Sequence, residues 1–147
     1  MRILFIAVLS VLVFANCQTT KNEKTDSIVE ENPAVKEGWD TIMAVHDEIM
    51  PISIKLPAMW EALDSLASTV DEATATEINE TVITLKKVHK DMYDWMGDAN
   101  LIRVKLEKAK EEALSAIIAE ETDRITQIKE ETNTIYEIAQ KLLSTEE

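Results

Sequence analysis

The side chains of this sequence best suited to bind something are its two histidines and six methionines, and they are not scattered. Val45–Pro51 reads "VHDEIMP", with His46 between Met43 and Met50; His89 stands in "KVHKDMYDWM", with Met92 and then Met96 following. Imidazole and thioether donors together suit a soft ion such as Cu(I), and one histidine with one methionine can hold a b-type haem between helices. Four residues form the candidate ligand set: His46, Met50, His89 and Met92. The plainer reading makes both histidines half-buried core groups, hydrogen-bonded to a nearby carboxylate or carbonyl. The methionines are then adaptable filler. A docking surface and a pH-sensing pair that charges and loosens two helices remain alternatives.

Pro51 adds a backbone feature. It has no N–H and crowds the carbonyl four residues back, that of Asp47, so a helix through this segment must kink. Trp60 and Trp95 have the size to fill the space a kink opens.

Other chemistries are excluded by position. Di-iron bundles need a glutamate three residues before each histidine, where this chain has Met43 and Lys86. The single cysteine rules out covalent haem attachment through C-x-x-C-H and a thiolate zinc set. Two isolated glycines cannot make a P-loop, a dinucleotide fingerprint or a nucleophile elbow. The carboxylates fall on solvated faces with no acid/base pair singled out, so no enzyme is expected.

The elements that must position these residues are helical. There are two glycines, three prolines and 29% charged residues beyond few aromatics. Asn32–Pro33 is an N-cap followed by proline at the first helical position. From it runs a row at spacings of three and four: Val35, Trp39, Ile42, His46, Ile49, Ile52, Leu56, Met59, Leu63, Leu66. A second row, Ile78, Val82, Leu85, His89, Met92, Met96, follows capping boxes at Thr69/Glu72 or Thr74/Glu77 and stops at Gly97. Asn100 is placed to cap a third helix over 101–143, with the row Leu114, Ile118, Ile125, Ile128, Thr132, Ile135, Ala139, Leu142. Glu121 interrupts that row, and "EETD" at 120–123 is expected to kink or break it. Glu120–Arg124 and Glu137–Lys141 are solubilising pairs in the favourable order.

The expected fold is all-α, an up-down-up three-helix bundle over residues 33–147 with a long C-terminal helix. At 1.5 Å per residue that last helix is about 64 Å long against about 33 Å for the second, so part of it overhangs or folds back. An overhanging apolar row would serve a protein partner or a homo-oligomer. Antiparallel pairing of the first two helices through a turn near Thr69 sets position 46 level with about 92, and His89 level with Ile49 and Met50. The two imidazoles then stand within roughly one turn of each other.

The first residues point to the envelope. Arg2 precedes an apolar run, Ile3–Phe14, which is too short to span a bilayer and reads as a signal peptide over 1–16. "FANC" resembles a lipobox: Ala15 fits, Asn16 departs from the usual small residue, and Cys17 becomes the acylated N-terminus. Several acyl chains, palmitate among them, anchor such a protein stably. Residues 17–32, rich in polar and charged groups, form a tether. A net charge of −13 removes nucleic acid as a partner, because phosphates demand a basic footprint. Gln18 is not the aspartate that retains lipoproteins at the inner membrane, which favours the outer membrane, facing the periplasm or the surface.

His46–Pro51 ("HDEIMP") and Met92–Met96 ("MYDWM") resemble the "HDE-[VI]-M-P" and "M-x-x-W-M" segments of a family of small helical Bacteroidota lipoproteins. Members are often labelled "viral A-type inclusion protein". The resemblance covers about residues 35–143. It implies an envelope location and a helical fold and carries no established activity. Gly97 departs from it, standing where a charged residue would be expected.

Overall fold

The computed structural model describes residues 32–144. Cys17, the leader and nearly all of the tether lie outside the described residues. Four helices follow one another: α1 (Pro33–Ser53), α2 (Leu56–Leu66), α3 (Glu72–Lys108) and α4 (Glu111–Ser144). The fold is an all-α bundle in which α1 and α2 make one bent rod, α3 runs back antiparallel, and α4 runs parallel to the first rod.

The start of α1 is the one expected. Asn32 accepts hydrogen bonds from the Ala34 and Val35 amides at 3.0 and 3.4 Å, and Pro33 begins the helix. At α3 neither threonine is the cap. Asp71, in extended backbone, accepts from the Ala73 and Thr74 amides at 3.0 and 3.2 Å and from the Thr74 hydroxyl at 2.7 Å. Thr74 thus donates to a better acceptor, a carboxylate at the positive end of the helix. The Thr74 hydroxyl, with the Thr74 amide, holds the Asp71 carboxyl below its ordinary pKa.

The second helix does not stop at Gly97, and Asn100 caps nothing. α3 runs through both to Lys108, and Gly97 keeps an ordinary right-handed backbone. A glycine ends a helix when the chain needs a left-handed residue. Here Ile102 and Leu106 lie beyond it and are buried. Burying two such side chains is worth about 1.5–3 kcal/mol each, more than the about 1 kcal/mol a mid-helix glycine costs.

The turn falls instead at 109–110, where Ala109 adopts extended backbone. No glycine or proline marks it. Lys105 and Lys108 in the last turn of α3 and Glu111 and Glu112 in the first turn of α4 do suit the two helix dipoles. The α1–α2 rod and α4 are then each about 51 Å long and α3 about 55 Å, at 1.5 Å per residue. The three layers are coextensive, and the expected overhang is absent.

α4 is also continuous through "EETD". Glu121 takes its place in the inner row, 6% exposed, between Ile118 and Ile125. Leu114, Ile118, Glu121, Ile125, Ile128, Thr132, Ile135, Ala139 and Leu142 alternate spacings of four and three, the seam of a left-handed coil. On α3 the seam is Ile78, Val82, Leu85, Val88, Met92, Trp95, Ile102, Leu106. Val88 and Trp95 fill slots the sequence reading gave to His89 and Met96. Both registers fit the spacing; the one that buries an indole and a valine removes more apolar surface from water. On the first rod, Gly38 and Ser53 likewise replace Trp39 and Ile52 as the fully buried members.

Candidate functional site

The core divides in two. One cluster gathers Val35, Ile42, Ile49, Met92, Trp95, Ile102, Leu106, Leu114, Ile125 and Ile128. The other gathers Leu56, Leu63, Ile78, Val82, Leu85, Val88, Ile135 and Ala139. Ile52 touches both, at the joint between α1 and α2.

Pro51 makes that joint. Lacking its N–H, it leaves the Asp47 carbonyl without its helical donor, and α1 ends two residues later. The Ile54 amide still reaches the Met50 carbonyl at 3.1 Å, and the Lys55 amide makes a tighter bond to Ile52 at 2.9 Å. α2 then restarts at Leu56 with Pro57 in its first turn. Two fully buried hydroxyls belong to this level. Ser53 on α1 and Thr132 on α4 are both closed to solvent, and their side-chain oxygens have no hydrogen-bond partner among the described residues. The Lys129–Glu48 pair at 2.7 Å links α4 to α1 near this level.

The histidines sit on either side of the joint, each on its own indole. His46, 13% exposed, stacks on Trp95 with centroids 5.6 Å apart and planes at 28°. Its Nδ1 lies 2.9 Å from Asp47 Oδ1. The Trp95 Nε1–H is buried without an acceptor among the described residues. Met92 is fully buried in this cluster, and Met43 and Met50 pack on its margin. His89 is half-buried outside the seam, edge-on to Trp60 at 5.2 Å and against the Tyr93 ring at 4.5 Å. Burial lowers its pKa. Lys86 Nζ stands 5.9 Å above the Trp60 ring and 3.4 Å from Asp64.

His46 stacks on Trp95, Met92 is buried in the same core cluster with Met50 packed against it, and His89 lies against Trp60 and Tyr93. His46 is level with Trp95 rather than with position 92, and His89 with Trp60 rather than with Ile49. From Trp95 to His89 the chain rises about 9 Å along α3. Trp95 is buried in the first core cluster and Trp60 packs against the second. Among the described residues no three of His, Cys, Asp and Glu converge on a point where a metal could sit.

Sequence reasoning missed the polar groups inside. Glu121 has Lys105 and Arg124 nitrogens at 3.8 Å, and its Oε2 is buried with no hydrogen-bond partner among the described residues. Arg124 reaches across to Asp98 at 3.0 Å and Lys105 to Glu120 at 3.2 Å. The signal was present in the spacing, since position 121 falls on the heptad between 118 and 125. A second unanticipated feature is an open groove of about 730 Å³ between α2 and the end of α4, floored by Met59, Tyr136 and Leu143 with Lys55 at its rim.

No protein-family model, no curated protein and no solved structure matches this chain.

Proposed function

We propose that the protein is a lipid-anchored bundle of the cell envelope with a structural or protein-interaction role and no catalytic activity. An acylated Cys17 at the end of a polar tether holds the bundle to the outer membrane, facing the periplasm or the surface. The supporting observation is how the three rods use their apolar rows. Those rows close on one another along the described bundle, which supports the structural side of this reading, in a chain of net charge −13. No described helix is long and apolar enough to cross a membrane, so attachment in this reading falls to the acyl chains.

The test is metabolic labelling with an alkyne-bearing fatty acid, comparing the wild type with Cys17→Ser. Label on the wild-type chain and its recovery with membranes, both lost in the variant, is the expected result. Equal labelling and equal partition of the two chains would end the anchored reading.

A further inference from the structure

Four of the chain's six methionines lie within one helical turn of His46 or of the indole it stacks on. Met43 and Met50 are on α1, three residues before His46 and four after; Met92 and Met96 are on α3, three before Trp95 and one after. Offsets of three and four put Met43, His46 and Met50 on one face of α1, with successive Cβ atoms about 5–6 Å apart. All three are partly buried: the His46 side chain is 13% exposed, and Met43 and Met50 pack on the margin of the first core cluster. Met96 follows His89 by two turns, along the face of α3 that meets the first rod through the His89–Trp60 contact. It is 36% exposed, whereas Trp95 and Met92 behind it are closed to solvent.

These donors are soft. Thioethers and imidazole suit Cu(I), while carboxylates and water suit Mg²⁺ and Ca²⁺, and no three of His, Cys, Asp and Glu gather among the described residues. His46 already has the outer partner that a ligating imidazole uses. Asp47 Oδ1 lies 2.9 Å from its Nδ1, and a carboxylate can only accept, so the ring proton sits on Nδ1 and Nε2 keeps its lone pair. Such a carboxylate fixes the tautomer and raises the basicity of the ligand nitrogen. The stack on Trp95 fixes the ring plane. Metal–ligand bonds of about 2.0–2.3 Å need donor atoms about 3.5–4 Å apart. Methionine, with three rotatable bonds, spans that gap from neighbouring turns of one helix face.

We propose that Met43, His46 and Met50 of α1, with Met96 of α3, form a site for one soft monovalent metal ion, Cu(I). His89 lies outside it, packed on Trp60 and Tyr93. The site is one for binding and goes beyond the anchored interaction role, on which it does not depend.

The test is anaerobic calorimetry of the full chain carrying Cys17→Ser, which removes the one thiol that would compete, with Cu(I) supplied as its acetonitrile complex. The parent should take up one equivalent. Asp47→Ala should weaken binding about tenfold, and His46→Gln and Met43→Leu/Met50→Leu by more. The leucines keep the apolar bulk, and melting curves of the metal-free variants check that each folds. His89→Gln and Met59→Leu should bind as the parent does. In the parent, Ag(I) should move the Nε2 nitrogen resonance of His46 and leave both ring nitrogens of His89 in place, a change that packing alone would not produce. No uptake, a stoichiometry other than one, equal affinity in the parent and the methionine double variant, or a His89 resonance that moves with His46 would each overturn the site. None of these outcomes bears on acylation at Cys17, so the anchored reading fails or survives separately.

Discussion

The two glycines give the sharpest test of the packing, because the same substitution should act with opposite sign at each. At Gly38 a methyl group would lie 2.3 Å from Ile118 Cδ1, 2.6 Å from Cγ1 and 3.2 Å from Cγ2. Carbon pairs settle at about 3.5–4.0 Å, so the nearest contacts must open by more than 1 Å. Turning the end of Ile118 moves only Cδ1; relieving Cγ1 and Cγ2 needs a new χ1 or a shift of α1 away from α4. Overpacking of this kind costs about 1–3 kcal/mol, against a helix-propensity gain of about 1 kcal/mol for alanine. Gly38→Ala should therefore destabilise the bundle by up to about 2 kcal/mol net. Gly97→Ala meets open space and should stabilise it by about 0.5–1 kcal/mol. Urea unfolding at about 1 μM measures both. The double variant Gly38→Ala/Ile118→Ala removes all three clashing atoms, and it should be more stable than the two single changes added together, by about 1 kcal/mol or more. If Gly38→Ala stabilises as Gly97→Ala does, or shows no coupling to Ile118, the close approach of α1 to α4 is refuted.

Three further outcomes follow from the site. Glu121→Leu fills a seam slot with an apolar side chain and removes a buried carboxylate oxygen without a hydrogen bond; a gain of about 1–2 kcal/mol is expected in the same urea assay, and a loss would show that the 3.8 Å cation contacts dominate. Thr132→Val keeps the shape at the joint and deletes a buried hydroxyl, so stability should rise by about 1 kcal/mol; a fall would reveal a partner for that hydroxyl, Ser53 included. His89 has its pKa lowered by burial beside Trp60 and Tyr93, so as pH falls below the ordinary histidine value of about 6.5 the unfolded chain takes the proton first. The stability owed to neutral His89 is therefore fully present above that pH and is lost as pH falls toward the folded value. Lys86 stands over the Trp60 ring and adds no counter-charge for an imidazolium, though Asp64 lies 3.4 Å beyond it. The midpoint of urea unfolding should drop between pH 7.5 and 5.5 in the wild type and drop less in His89→Leu; identical slopes would place the effect elsewhere.

The sequence by itself determined the class of fold and the start of the bundle. Few breakers, rows at three and four, and Asn32–Pro33 are local facts, and helix formation with its N-cap is decided by neighbours along the chain. It also determined that Pro51 would bend the first rod, since a missing N–H acts within one turn. What only the tertiary structure decided is where the helices end and which of two adjacent residues faces in. Gly97 reads as a stop, and it is not one because Ile102 and Leu106 find partners on the other two rods. Val88 and Trp95 rather than His89 and Met96 line the seam, because spacing allows both registers and buried area across the interface selects one. That one-residue choice puts His89 against Trp60 and Tyr93 while His46 stacks on Trp95. Glu121 was visible as an interruption, but only packing against α3, with Lys105 and Arg124 within reach, lets a carboxylate hold a core position without breaking the helix. Local rules act over about one turn and can propose several registers; the burial of whole faces against one another is what chooses among them.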